Sequence, residues 1–251
     1  MCTVIFYYRP GHEWPLLFAG NRDEMRDRAW SPPARHWPER GDVVAGLDQS
    51  AGGSWLGLND HGVLAAVMNR EGSLGPSPGK RSRGELVLEA LDHGDASSAA
   101  GALADLNSNS YRPFNLIVAD PTKVCWVCLQ EGRGIELIPV DPGLHMISST
   151  GLDDYSHPRI AAYLDRFHSA PVPDPESGDW VAWQALMSET EHPSNLGPLA
   201  AMNILDVDGF GTVSSSLIAL PRYPGFVNRP RWMHAAGSPH EVSYRPVDLE
   251  A

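Results

Sequence analysis

The chain opens in strand period. Residues 2–8 (CTVIFYY) are β-branched and aromatic and residues 16–20 (LLFAG) are apolar, so the turn-forming RPGHEWP between them predicts a β-hairpin. Residues 24–42 are polar and proline-rich and read as a long loop of the kind that borders functional clefts. VVAGLD (43–48), SWLGLN (54–59) and VLAAVMN (63–69) follow as short strands, parted by the turn signals QSAGG and DHG. After EGSLGPSPGKR the period lengthens. SRGELVLEALDHG begins with Ser82 and Glu85 in a capping-box arrangement, places apolar residues at 86, 87, 90 and 91, and stops at Gly94, which predicts a helix. DASSAAGALADL (95–106) predicts a second. Strand patterns resume at FNLIVAD (114–120), VCWVCLQ (124–130), GIELIPV (134–140) and LHMISS (144–149). Two further helices are expected near 156–169 and 178–190. Strands AMNILDV (201–207) and TVSSSLIAL (212–220) come next, and then an irregular tail containing PRYPGFVNRPRW. Grouped strands and paired helices indicate an α+β layered fold, not alternating βαβ units. No repeat period and no linker interrupt residues 1–251, which read as a single domain.

Composition narrows the function classes. The formal net charge is −12, from 31 acidic and 19 basic residues, which argues against a nucleic-acid or anionic-membrane surface. No apolar run approaches the roughly 20 residues of a membrane-spanning helix. No secretory signal pattern is visible, and three cysteines make a poor disulfide framework, so a cytoplasmic location is expected. Cys125 and Cys128 form a C-x-x-C without a second ligand pair, so no metal site is assigned to them. Three residues apart on a strand they point to opposite faces and read as core thiols. His145, Asp153 and Ser214 to Ser216 contain the elements of a serine triad but no G-x-S-x-G elbow.

The most specific chemistry sits at the second residue. If Met1 is removed, Cys2 carries a thiol and an α-amine on one carbon. An α-amine titrates near 7.7–8, so it can accept the thiol proton at neutral pH without a histidine. Such a centre needs a carboxylate to hold the amine and donors for a developing oxyanion. The predicted hairpin brings GNRDE beside residue 2. Asp23 is the candidate for the amine and Arg22 for lowering the thiol pKa or steering a carboxylate, with Asn21 beside them as a substrate-binding candidate. A plain Arg–Asp surface pair and a packed strand cysteine are the alternatives. Asn69, ending a strand after the turn NDHG, can donate to an oxyanion or simply cap a turn. The tryptophans at 14, 30, 37 and 55 flank the expected cleft loops. Trp55 is the pocket-lining candidate among them, and core or rim packing is the alternative.

The same residues carry a family resemblance. MCT, LLFAGNRDE and VVAGLDQSAGGSWLGLNDHGVLAAVMNR resemble the NRDE-domain family, which includes the transport and Golgi organisation protein 2 group; the likeness returns in PFNLIVAD, HMISS…LDD…PR and FGTVSSS. The opening also resembles the choloylglycine-hydrolase and penicillin V acylase group of N-terminal-nucleophile hydrolases. That resemblance implies an αββα four-layer sandwich, with Cys2 as nucleophile and base, Asp23 holding the amine, Asn69 in the oxyanion hole and Ser149 on the substrate side. It implies a cysteine amidohydrolase that cleaves a small non-peptide amide through an acyl-thioester, with no cofactor. The transport and Golgi organisation group implies an alternative: a non-catalytic haem or lipid/acyl-CoA binder on the same fold. No C-x-x-C-H or paired axial histidine marks a haem site. Three positions depart from the patterns. Gly20 stands where the acylases carry arginine, Ser149 where an asparagine is expected, and Val213 where NRDE relatives carry arginine.

Overall fold

The computed structural model describes residues 2–193, 195–222 and 229–250. The chain forms two compact units: residues up to Arg28 with Pro142–Val247, and Ala29–Asp141 with the residues from Asp248 on. It passes between them at three places, none with linker composition.

The first unit is built on a six-stranded antiparallel sheet. Its strands are β1 (Thr3–Tyr8), β2 (Leu16–Met25), β10 (Gly143–Ile147), β11 (Phe210–Leu220), β12 (Arg231–Ala235) and β13 (Arg245–Pro246), in the order β10-β1-β2-β11-β12-β13. The predicted hairpin forms with Thr3 opposite Asn21 and Tyr8 opposite Leu16. Helices α3 (Pro158–Ser169) and α4 (Val181–Met187) cover one face. Strand alternation supplies the sheet's half of that core through Leu17 and Ala19, Leu144 and Met146, and Leu217 and Ala219. Helix α3 answers with Ile160, Tyr163, Leu164 and Phe167, the i, i+3, i+4, i+7 stripe of an amphipathic helix.

The second unit is a seven-stranded antiparallel sheet in chain order: β3 (Trp30–Ala34), β4 (Val43–Asp48), β5 (Leu56–Asn59), β6 (Leu64–Asn69), β7 (Phe114–Ala119), β8 (Val124–Leu129) and β9 (Ile135–Pro139). Helices α1 (Gly84–Leu91) and α2 (Ala96–Ala104) pack on the face that presents Val63, Ala65 and Val67. Every residue of β7 is buried, which is why FNLIVA is apolar but for Asn115, whose Oδ1 accepts from Arg70 and Trp126. Cys125 lies in the helix-side core and Cys128 on the opposite face; both are free and buried. Two glycine approaches shape this unit. A Cβ on Gly53 would come within 2.5 Å of the Gly84 carbonyl carbon at the start of α1. A Cβ on Gly46 would lie 2.3 Å from the Trp55 ring, so the indole packs on bare backbone.

Four local expectations are corrected. The capping box does not form: Ser82 Oγ accepts from the Gly84 N–H, while Glu85 is taken by Arg81. The loop expected over 24–42 contains the end of β2 and all of β3, an edge strand whose prolines are tolerated because its outer side needs no ladder bonds. The strand expected at 201–207 is irregular. Its backbone bonds to a mixture of partners instead of one strand: Met202 O accepts from Asn21, Met202 N–H donates to Tyr163, Ile204 N–H donates to the Thr212 hydroxyl and Ile204 O accepts from the Thr212 N–H. The tail contains two strands, β12 and β13; 223–228, within PRYPGFVNRPRW, lie outside the described residues. Among the described residues no helix is long and apolar enough to cross a membrane.

Candidate active site

Pairing of β1 with β2 decides what surrounds the start of the chain. Thr3 opposes Asn21, so Thr3, Asn21 and Asp23 project toward the helices. Asp23 is buried in that layer. Its Oδ2 accepts from Arg159 Nη1 at 2.7 Å and its Oδ1 from Thr212 Oγ1 at 2.7 Å. The same Arg159 nitrogen donates to Thr3 Oγ1, and Nη2 reaches the Leu199 carbonyl at 3.1 Å. One guanidinium thereby ties the first strand to the carboxylate at the end of the second. Burial in low dielectric makes such a pair costly to break and restrictive in geometry.

Local sequence explains how a buried arginine is held there. His157 is the N-cap of α3, Pro158 takes the first helical position, and Arg159 follows on the inward face. His157 Nδ1 accepts the Arg159 N–H at 3.2 Å. Burial, with the Arg159 charge adding to it, lowers the His157 pKa to about 4, so the ring stays neutral and keeps the acceptor that the cap requires. Thr212 reaches Asp23 through a β-bulge in β11. The register moves from Thr212 opposite Asp23 to Ser214 opposite Arg22, with Val213 as the extra residue.

Cys2 precedes β1 and is half-buried. Burial pushes its thiol above the ordinary value and the Asp23 charge adds to this; the Asp23 backbone amide and the Arg22 guanidinium act in the opposite direction. Arg22 is itself buried, with Glu24 at 3.9 Å. Ser148 Oγ donates to the Cys2 carbonyl at 3.0 Å and lies 3.3 Å from Thr3 Oγ1, tying β10 to the same point. Asn21 donates to the carbonyls of Met187 and Met202, both at 2.9 Å, and so anchors the segments that follow α4. Ser149 is buried just beyond β10.

Cys2, Asn21, Arg22, Asp23 and Ser149 thus belong to the first unit. Asn69 and Trp55 belong to the second. Asn69 is the half-buried last residue of β6, and Trp55 meets Trp30 edge to face at 5.6 Å. Arg159 and Thr212 were given no role by sequence reasoning, although both lie in stretches that carry the resemblance, LDD…PR and FGTVSSS. His145 and Asp153 do pair, at 2.6 Å, but the serines at 215 and 216 bond elsewhere, to Tyr244 and His234. Among the described residues no cluster of three or more metal-ligating side chains forms.

Transport and Golgi organisation 2 homologues from Mus musculus and Homo sapiens are 33% and 32% identical to this chain over 165 residues. Those matches cover 61% of this chain and 58% of each relative, so the chain spans about 58% of the length of the curated relatives it matches. Among solved structures, a variant of the conjugated bile acid hydrolase from Clostridium perfringens is similar at a TM-score of 0.55 and 13% identity, covering 100% of this chain and 94% of that one. The Caenorhabditis elegans N-acylethanolamine-hydrolyzing acid amidase ortholog is similar at a TM-score of 0.51 and 12% identity, covering 86% and 92%. These likenesses establish the α+β fold of the N-terminal-nucleophile hydrolases. The family model described as Transport and Golgi organisation 2 matches residues 1–221, and the chain belongs to that family.

Proposed function

We propose that this protein is a cysteine N-terminal-nucleophile amidohydrolase acting on a small, non-peptide amide. One observation carries the reading: Arg159 bridges Thr3 Oγ1 and the Asp23 carboxylate, which fixes a buried negative charge beside the start of the first strand. A liberated α-amine on Cys2 is the partner that such a carboxylate would hold. The names of the similar solved structures, an acid amidase and a bile acid hydrolase, support the same chemistry.

In this reading removal of Met1 exposes the amine of Cys2. The sulfur attacks the amide carbonyl while its proton passes to the amine. The resulting oxyanion is held by backbone donors. The C–N bond then breaks, the departing nitrogen takes the proton from the ammonium, and the acyl group remains as a thioester. Water, deprotonated by the same amine, releases the acid and regenerates the thiol. Arg22 offsets the burial that raises the thiol pKa. Asn21 holds the surrounding backbone through the Met187 and Met202 carbonyls, and Ser149 is assigned to the substrate side. The reaction uses no cofactor.

The test combines mass and labelling. Intact-mass measurement should show the chain one methionine short. A β-lactone probe should add one acyl group to the wild type and none to Cys2→Ala, and Cys2→Ala should lose all release of aminocoumarin from N-acyl aminocoumarins. Retention of Met1, or labelling that survives Cys2→Ala, overturns the proposal.

A further inference from the structure

The second unit contains a cleft of about 880 Å³, within the size range of small-molecule sites. Its walls come from the loop after β6, the segment leading into β7 and the turn between β8 and β9. Arg70, Lys80, Arg112 and Arg133 line it against two acidic residues, Glu71 and Glu131. In a chain of net charge −12, that is a local reversal of sign.

The way these cations are held matters more than their number. Arg112 donates to the carbonyls of Gly72 at 3.1 Å and Gly75 at 3.0 Å, and to that of Leu74. Lys80 Nζ donates to the Asn109 carbonyl at 2.6 Å. Neutral carbonyl oxygens orient both side chains without cancelling their charge, as a carboxylate would. Arg133 has Glu136 at 3.6 Å, but both are largely exposed and that pair is weak. Gly72 and Gly132 stand at the rim with φ of +73° each, and no atom lies within 4 Å of where a Cβ would sit on either. The backbone of both turns is therefore open to a bound group. Ser77 and Ser108 add hydroxyls to the wall.

We infer that this cleft binds a small molecule bearing more than one phosphate-type anionic group. Cations drawn from three separate segments match several anionic groups spread along a ligand better than a single compact ion. The inference rests on the second unit alone and is independent of the chemistry proposed for Cys2.

The experiment is isothermal titration calorimetry of the full chain with tripolyphosphate, pyrophosphate and monophosphate, at about 20 mM and about 150 mM salt. Saturable one-site binding is expected, tightest for tripolyphosphate and weaker at the higher salt. Lys80 and Arg133 are exposed, so Lys80→Glu and Arg133→Glu leave the fold intact; each should weaken binding by about tenfold. Arg245→Glu, an exposed change on β13, should leave binding unaltered. The inference is overturned by absence of saturable heat, by monophosphate binding as tightly as tripolyphosphate, or by Arg245→Glu weakening binding as much as the cleft variants.

Discussion

Removing the charge of Arg159 is the most direct probe of the network behind Cys2. The Arg159 and Asp23 side chains are 1% and 0% exposed, and their closest atoms are 2.7 Å apart. Arg159→Met keeps much of the volume but leaves the carboxylate buried without its guanidinium, with the Thr212 hydroxyl still donating to it. Breaking one side of such a pair costs about 3–5 kcal/mol, because the surviving charge cannot regain its hydration. For a chain of this size that is a fall of about 10 °C in Tm. Asp23→Asn should destabilise as well, by stranding the guanidinium. The double variant, which removes both charges, should recover about 2–3 kcal/mol relative to the sum of the single changes. Arg159→Lys should fall between wild type and Arg159→Met, since an ammonium cannot reproduce the fork that reaches Thr3, Asp23 and Leu199 together. Urea unfolding followed by tryptophan fluorescence gives all four values. A cost below about 1 kcal/mol for Arg159→Met, or single effects that add within about 0.5 kcal/mol, would refute the argument that this pair is the electrostatic centre of the first unit.

Burial lowers the His234 pKa to about 4 from an ordinary value of 6.5, so the native ring is neutral where the unfolded one begins to charge. Its contribution to stability is complete above about pH 6.5 and declines as pH falls toward 4, with a slope of at most roughly 1.4 kcal/mol per pH unit. Calorimetric Tm between pH 7.5 and 5 should therefore fall less steeply for His234→Gln than for wild type, and equal slopes would contradict the assignment. Gly53→Ala should cost about 2 kcal/mol, because the added carbon meets the backbone of Gly84, which cannot rotate away. Gly41→Ala, at a φ of −64° and with open space around it, should be neutral or slightly stabilising. Urea midpoints that rank these two variants in the opposite order would show that close approach does not constrain the backbone at Gly53.

Much of the architecture was legible because it is local. The hairpin could be read from two apolar runs around RPGHEWP, and its pairing alone brings Asp23 to the start of the chain. Helix α3 could be read from its apolar stripe. Arg159 and Thr212 escaped because they meet Asp23 from 136 and 189 residues away, and no periodicity encodes contacts of that separation. The strand expected at 201–207 failed for a related reason. AMNILDV has a strand-like composition, but its backbone groups are divided between distant side chains, Asn21, Tyr163 and Thr212, and only scattered bonds to β11, so no continuous ladder forms. The missing capping box shows a limit of local pattern itself, since Glu85 had a stronger partner in Arg81, four residues earlier.

The bulge at Val213 bears on how relatives are to be aligned. Beyond it the ladder runs in register from Ser214 opposite Arg22 to Leu220 opposite Leu16. A strand of the same length without the bulge would set Val213, not the threonine, against Asp23. A homologue one residue shorter there would keep its threonine in place on a flat strand. In this stretch the spacing between threonine and serine decides which hydroxyl meets the carboxylate, so a single gap carries more meaning than a change of residue.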